Sequence, residues 1–148
     1  MNNDISVQAL HVSHETSWQK LWKGYQAFYQ TEISDDVTKN TWAKLSQAQY
    51  EHMYGFVAVL NGEVVGIVHV IEHDSCWTLK PYAYLQDLFT QEAHRGKGIA
   101  RHLIEHVQNH TQLRQCDRVY WLTHQDNINA QTLYDKLAKK TGFIQYKL

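Results

Sequence analysis

The dipeptide Asn61-Gly62 limits the possible folds of this chain more than any other local feature. It separates two runs rich in β-branched and aromatic residues, Tyr54-Gly-Phe-Val-Ala-Val-Leu and Val64-Val-Gly-Ile-Val-His-Val-Ile. A two-residue connection of this kind needs positive φ at both positions, which Asn-Gly adopts at little steric cost. An antiparallel hairpin is therefore expected at the centre of the molecule. Tyr82 to Thr90 predicts a further strand, Arg118 to Thr123 another, and Ile5 to Val12 a first one.

Helical patterns fill the intervals. Trp18, Leu21, Trp22, Tyr25, Phe28 and Tyr29 recur at the three-and-four spacing of one apolar face. Ser13 is placed to cap that helix, with Glu15 in its first turn. A second helix is expected over Val37 to Gln47, a third from Ile99 to about His110, and a fourth from Ile128 to about Lys139. Gly142 to Lys147 reads as a final strand. The order β-α-α-β-β-β-α-β-α-β describes a mixed α/β domain around one largely continuous sheet. With no repeat, linker or low-complexity tract, residues 1–148 form a single expected domain.

Charge narrows the partners. Lys and Arg number 14 against 15 Asp and Glu, so no bulk field favours nucleic acid or an anionic membrane. Hydrophobic residues make up 43%, enough for a core, yet no run approaches the ~20 apolar residues of a membrane span. MNNDISVQ lacks the basic start and apolar run of a signal peptide. Cys76 and Cys116 have no C-x-x-C spacing, which fits a reducing compartment. A cytoplasmic protein is expected, with both cysteines as small buried apolar residues.

The stretch Gln91-Glu-Ala-His-Arg-Gly-Lys-Gly-Ile-Ala-Arg-His-Leu joins the third expected core strand to the third helix. It lacks the spacing of a Walker loop. It also has Arg101 where a dinucleotide fingerprint needs a third small residue. It does match Arg-x-x-Gly-x-Ala through Arg95, Gly98 and Ala100. Small residues there let backbone N–H groups and a helix N-terminus approach an anion closely. An ordinary basic loop would have the same composition.

With its surroundings, this turn resembles the acetyl-coenzyme A pyrophosphate loop of the GNAT N-acetyltransferase superfamily. Tyr84-Leu-Gln-Asp-Leu-Phe-Thr is similar to that family's central strand. Asn127-Ile-Asn-Ala-Gln-Thr-Leu-Tyr134 resembles its N-x-x-A-x-x-L-Y segment, and Thr141-Gly-Phe143 its following Gly-Phe. The resemblance spans nearly the whole chain. The aromatic opening Trp18 to Tyr29 and the extended ending are similar to the branch acting on polyamines, histones or free amino acids.

That resemblance implies an acetyl-coenzyme A-dependent enzyme in which a primary amine attacks the thioester directly in a ternary complex. Leu88 would supply the oxyanion donor through its backbone N–H, and Leu88 and Thr90 would pair with the pantetheine. Arg95, Gly96, Lys97, Gly98, Ile99 and Ala100 would hold the pyrophosphate, and Asn127 the pantetheine. Tyr134 would protonate the departing sulfur; packing is the alternative for a helical tyrosine. Polyamine acetylases often carry Glu-Asp where this chain has Gln86-Asp87, so Asp87, acting directly or through water, is the remaining base candidate. A strand-end Asp satisfied by backbone N–H groups is the competing role.

Glu32, Asp35 and Asp36 lie between the first two helices, where the superfamily shapes its acceptor pocket, and suit a small cationic amine such as a polyamine, a lysine-like molecule or an aminoglycoside. They would serve equally as a solvated helix-starting loop. Trp22, Tyr25 and Tyr29 either wall that pocket or belong to the core. His102, His106 and His110 recur every four residues, but nothing completes a tetrahedral set, so no metal is expected. The alternatives to a small-amine enzyme are a protein-lysine acetyltransferase and a non-catalytic acetyl-coenzyme A-binding module. The chain has little more than one strand after Gly142-Phe143, so a homodimer is expected to cover the last sheet edge.

Overall fold

The computed structural model describes residues 4–148. Five strands form one sheet in sequential order: β1 (Ile5–Ala9), β2 (Met53–Leu60), β3 (Glu63–His73), β4 (Tyr82–Thr90) and β5 (Arg118–Tyr120). The first four pair antiparallel, while β5 lies parallel to β4. Asn61 and Gly62 connect β2 to β3 with φ of 51° and 78°, the conformation expected for the hairpin.

Alternation along the strands builds two cores. On one face Phe56, Ala58, Val68, Val70, Ala83 and Leu85 pack against Ile99, Leu103, Ile104 and Val107 of α3 (Ile99–Leu113). Leu133, Tyr134 and Leu137 of α4 (Ile128–Leu137) border the same core. On the other face Val57, Ile67 and Phe89 meet Trp18, Leu21 and Trp22 of α1 (Glu15–Phe28) and Trp42 and Leu45 of α2 (Asp35–Ser46). The sheet is thus covered on both sides, the reason β3 reads as a nearly continuous apolar run. Among the described residues, no helix is long and apolar enough to cross a membrane.

Several local expectations change. β1 ends at Ala9, because a short 3-10 turn at Val12–His14 intervenes before α1. Ser13 bonds to His11 within that turn, leaving the N-terminus of α1 without a side-chain cap. Ser34 is the cap that forms, accepting from the Val37 N–H at the start of α2. The apolar stripe of α1 is buried only through Trp22; Phe28 and Tyr29 are exposed. Cys76 is exposed rather than buried, while Cys116 is half-buried and packs against the α3 core. The first lies in the β3–β4 connection, beyond the reach of either core.

The strand expected over Gly142 to Lys147 does not form, and Phe143, Ile144 and Tyr146 are exposed. β5 is three residues long. Its outer edge offers too few ladder bonds to offset the entropy of ordering another strand.

Gly66 fixes how closely α3 approaches the sheet. A Cβ there would lie 2.7 Å from Ile99 Cγ2 and 3.1 Å from Leu103 Cδ1. Gly66→Ala must therefore push the first turn of α3 outward, with an expected loss of about 1–3 kcal/mol. Urea denaturation checks this; an unchanged midpoint would refute the close packing.

Candidate active site

The site follows from an incomplete strand pairing. β5 pairs with β4 only at Tyr82, Ala83 and Tyr84. Beyond Tyr84, β4 continues for six residues with β3 on one edge only. The Gln91 N–H bonds to the Val65 carbonyl at 2.8 Å. Because backbone groups alternate between edges, Phe89 and Asp87 face β3 while Leu88 and Thr90 face the opening. The N–H of Leu88 therefore points into the gap left by β5. An extended ligand can pair there as a strand would.

Gln86 is the extra residue at a register shift between β3 and β4: His69 pairs with Asp87, and Val70 with Leu85. Without the bulge, Leu85 and Asp87 would share a face. With it, Leu85 enters the α3 core while Asp87 turns towards α1. Asp87 is 9% exposed, and its Oδ2 lies 2.9 Å from His69 Nδ1. His69 Nε2 in turn accepts from the Trp18 indole N–H at 2.9 Å.

Tyrosines surround the carboxylate. Burial, then the Asp87 charge, pushes the Tyr25 phenol well above its ordinary range. The same two causes raise Tyr29 and Tyr84. Tyr25 and Tyr29 meet with ring centroids 4.9 Å apart. Tyr134 packs edge-on to Trp121 at 5.4 Å, and burial, with Tyr29 beside it, pushes its pKa up to about 12. Tyr29 is thus the electrostatic neighbour of both Asp87 and Tyr134. Tyr134 stays protonated at neutral pH, as a proton donor must.

At the end of β4 the chain enters the glycine turn. Gly96 and Gly98 have φ of 77° and 82°, and Gly98 is the N-cap of α3. No side chain caps this helix, and its first turn contains no acid. Ile99, Ala100 and the preceding glycines therefore form a cradle with unclaimed helix N–H groups, suited to a diphosphate. Lys97 stands over the turn against His94, while the Arg95 guanidinium lies 5.0 Å from the Phe28 ring and 5.6 Å from that of Phe89. An open groove of about 460 Å³ runs beside it, lined by Lys20, Gly24, Phe28, Phe89 and Arg95. Asn127 begins α4, and its amide donates to Thr123 Oγ1 at 3.3 Å.

Other expected groups lie apart. Glu32, Asp35 and Asp36 are exposed; the two aspartates occupy the first turn of α2, beside the Ser34 cap. His106 and His110 pack edge-on to Phe56, at 4.5 and 5.1 Å, and burial lowers the pKa of both. His102 Nδ1 donates to the Gly98 carbonyl at 2.8 Å. The histidine stripe is thus engaged in packing and a helix-start contact. Sequence reasoning missed the Trp18–His69 pair and the role of Tyr84. The only available signal was a histidine in the otherwise apolar run Val64 to Ile71.

The family model described as "Acetyltransferase (GNAT) family" matches residues 16–138. The chain is 34% identical over 149 aligned residues to the D-amino-acid N-acetyltransferase HPA3 of Saccharomyces cerevisiae, covering 99% of this chain and 92% of that protein. It is 23% identical to the aminoglycoside N(6')-acetyltransferase type 1 of Salmonella enteritidis, over 90% of each. Among solved structures, AAC(6')-Iy in complex with the bisubstrate analog CoA-S-monomethyl-acetylneamine superposes with a TM-score of 0.86 at 21% identity. That alignment covers 98% of this chain and 97% of the other.

The raised tyrosines predict alkaline instability. Folding holds the Tyr134 proton up to about 12, against 10.0 for a free phenol. The unfolded chain therefore ionises first, and stability present below about pH 10 is lost as pH rises towards the folded value. Melting temperatures between pH 8 and 12 should fall from about pH 10. Tyr134→Phe should make that fall shallower; an identical slope would count against the raised phenol.

Proposed function

The chain belongs to the acetyltransferase (GNAT) family and is an acetyl-coenzyme A-dependent N-acetyltransferase; from that premise we propose direct transfer to a small primary amine within a ternary complex. The observation that carries this proposal is the Leu88 N–H facing the open edge of β4, one residue from the buried carboxylate of Asp87.

An alkyl ammonium is neutral for only about one molecule in a few thousand at pH 7, so reaching the nucleophile costs about 4–5 kcal/mol without help. Asp87 takes that proton, directly or through one water. The amine nitrogen then bonds to the thioester carbon while the carbonyl π pair moves onto oxygen, where the Leu88 N–H stabilises it. Collapse breaks the carbon–sulfur bond. Tyr134 gives its phenolic proton to the sulfur, and the amide nitrogen sheds its surplus proton to restore the phenol. The products are an N-acetyl amide, coenzyme A and one proton released from Asp87.

The turn from Arg95 to Ala100 holds the pyrophosphate, with Lys97 and Arg95 supplying positive charge. Thr90 and Asn127 align the pantetheine. At the acceptor end Tyr25, Tyr29 and Tyr84 place phenol groups beside the Asp87 charge, a polar setting with one anion that suits an ammonium group. The exposed Glu32, Asp35 and Asp36 are left to attract cationic acceptors from a distance. Likeness to HPA3 places D-amino acids beside aminoglycosides and polyamines among the first acceptors to test.

Coenzyme A release should be measured with D-amino acids, spermidine, lysine, an aminoglycoside and a histone-tail peptide. Turnover of a small amine is expected, with intersecting initial-velocity lines. Tyr134→Phe and Asp87→Asn should each lower kcat about 10²-fold or more. Preference for the peptide would favour a protein-lysine acceptor. Tight acetyl-coenzyme A binding without release on the whole panel would favour a binding module, and parallel velocity lines would exclude the ternary complex.

A homodimer is also proposed. The short outer edge of β5 and exposed Phe143, Ile144 and Tyr146 are apolar and ladder-bearing surfaces that a second copy would cover. Sedimentation at micromolar concentration should give twice the chain mass of 17.4 kDa. A single species at the chain mass would overturn this assembly.

A further inference from the structure

We propose that Trp18 and His69 are positioning residues that fix the Asp87 carboxylate for proton acceptance and keep the accepted proton from passing inward. This rests on Asp87 as the base. It adds two residues, on α1 and β3, which touch neither substrate.

An indole nitrogen is only a donor, so a Trp18 N–H 2.9 Å from His69 Nε2 requires a lone pair on that nitrogen. A neutral imidazole has one N–H, which must then be at Nδ1. That hydrogen points at Asp87 Oδ2, again at 2.9 Å. Trp18 is 0% and His69 1% exposed, so water cannot substitute in either bond. The imidazole packs beside the stacked indoles of Trp18 and Trp22, 5.9 and 5.3 Å away, and Trp18 itself packs on Trp42. The tautomer is therefore set by packing.

Two consequences follow for Asp87. Oδ2 accepts from His69 and the Tyr25 phenol also bonds to the carboxylate, so its remaining lone pairs are what an incoming ammonium meets beside Tyr29 of α1 and Tyr84 of β4. The chain of hydrogen bonds also ends at an indole that does not ionise. A proton taken by Asp87 cannot move to His69 without breaking the Trp18 bond and leaving that N–H unpaired in the core. It must leave through the pocket. This differs from a nucleophile–histidine–carboxylate triad, where histidine carries the proton. His69 pairs with Asp87 beside the Gln86 bulge, so the contact that orients the carboxylate lies where the strand rotates it.

The tautomer has a test that needs no acceptor. Nitrogen-15 NMR of the full chain should show His69 protonated at Nδ1 and unprotonated at Nε2 across neutral pH. An Nε2–H tautomer or an imidazolium would overturn the proposal. Kinetics then test its role, using acetyl-coenzyme A and the amine of highest turnover. His69→Leu removes the donor from a buried carboxylate and should raise the acid limb of the kcat/KM profile. Trp18→Phe frees Nε2 to bind a proton, placing an imidazolium beside Asp87, and should lower that limb. His69→Asn, whose amide N–H can reach Oδ2, should recover most of the rate lost in His69→Leu. About 10-fold losses in kcat with little change in KM for acetyl-coenzyme A are expected for the first two.

Asp87→Asn separates the two levels. Wild-type turnover in Asp87→Asn would overturn both the base and its positioning. Loss of turnover there, with a wild-type rate and pH profile in folded Trp18→Phe, would overturn the positioning alone. Trp18→Phe keeps a ring in the core, so it still reports if His69→Leu does not fold.

Discussion

The separation of β5 from β4 after Tyr84 is the constraint on which the rest of the site depends. A sheet normally satisfies the backbone groups of an interior strand from both sides. Here the second half of β4 is satisfied by a strand on one side only, leaving Leu88 and the Thr90 N–H directed at open space, while the Thr90 carbonyl accepts from Arg95. The parallel start of β5 and the bulk of Trp121 against Tyr134 hold that space between strands. In the proposed function a donor substrate with amide groups along an extended arm would complete the ladder, with its charged end at the uncapped start of α3. One irregularity would thereby align a long cosubstrate.

The bulge at Gln86 is a second irregularity with a separate effect. It leaves the Leu88 N–H on the open edge but rotates the preceding carboxylate onto the α1 face. The proposed proton acceptor and oxyanion donor consequently come from consecutive residues, yet address different sides of the reacting carbon. A regular strand would place Asp87 with Leu85, inside the α3 core. There a carboxylate would be expensive to bury. The bulge is thus what makes an acid tolerable in this strand, and the His69 N–H supplies the hydrogen bond that partial burial demands.

Much of the frame was legible because its signals are local. Asn61-Gly62 sets its own turn, β4 was delimited correctly at both ends, and Ile99 was identified as the first residue of α3. The glycine turn was equally readable, since positive φ and an uncapped helix follow from residue type. Element ends were harder. Thr123 was expected inside β5, but pairing stops three residues earlier because the strand diverges, a tertiary event. The acidic residues Glu32, Asp35 and Asp36 were readable as charge, yet their position at a solvated helix start was not. His69 was the largest omission. It occupies an apolar run, and only the packing of α1 across β3 brings Trp18 to one ring nitrogen and Asp87 to the other.

Selectivity for the acceptor follows from where charge is absent as much as where it is present. The tyrosine-lined side of Asp87 offers one anionic group among phenols, so it suits an ammonium without demanding a second cation on the acceptor. The carboxylate of an amino acid would need a different partner. Two cations, Lys20 and Arg95, line the groove beside Phe89. Arg95 is held over two aromatic rings and against the Thr90 carbonyl, so its position is restrained from both ends. Under the proposed function Arg95 would carry positive charge for the pyrophosphate while also lining the groove beside Phe28 and Phe89. A polyamine would gain nothing from that cation, whereas an α-amino acid would. Under the proposed function the preferred amine would depend on the balance between Asp87, which both share, and Arg95, which distinguishes them.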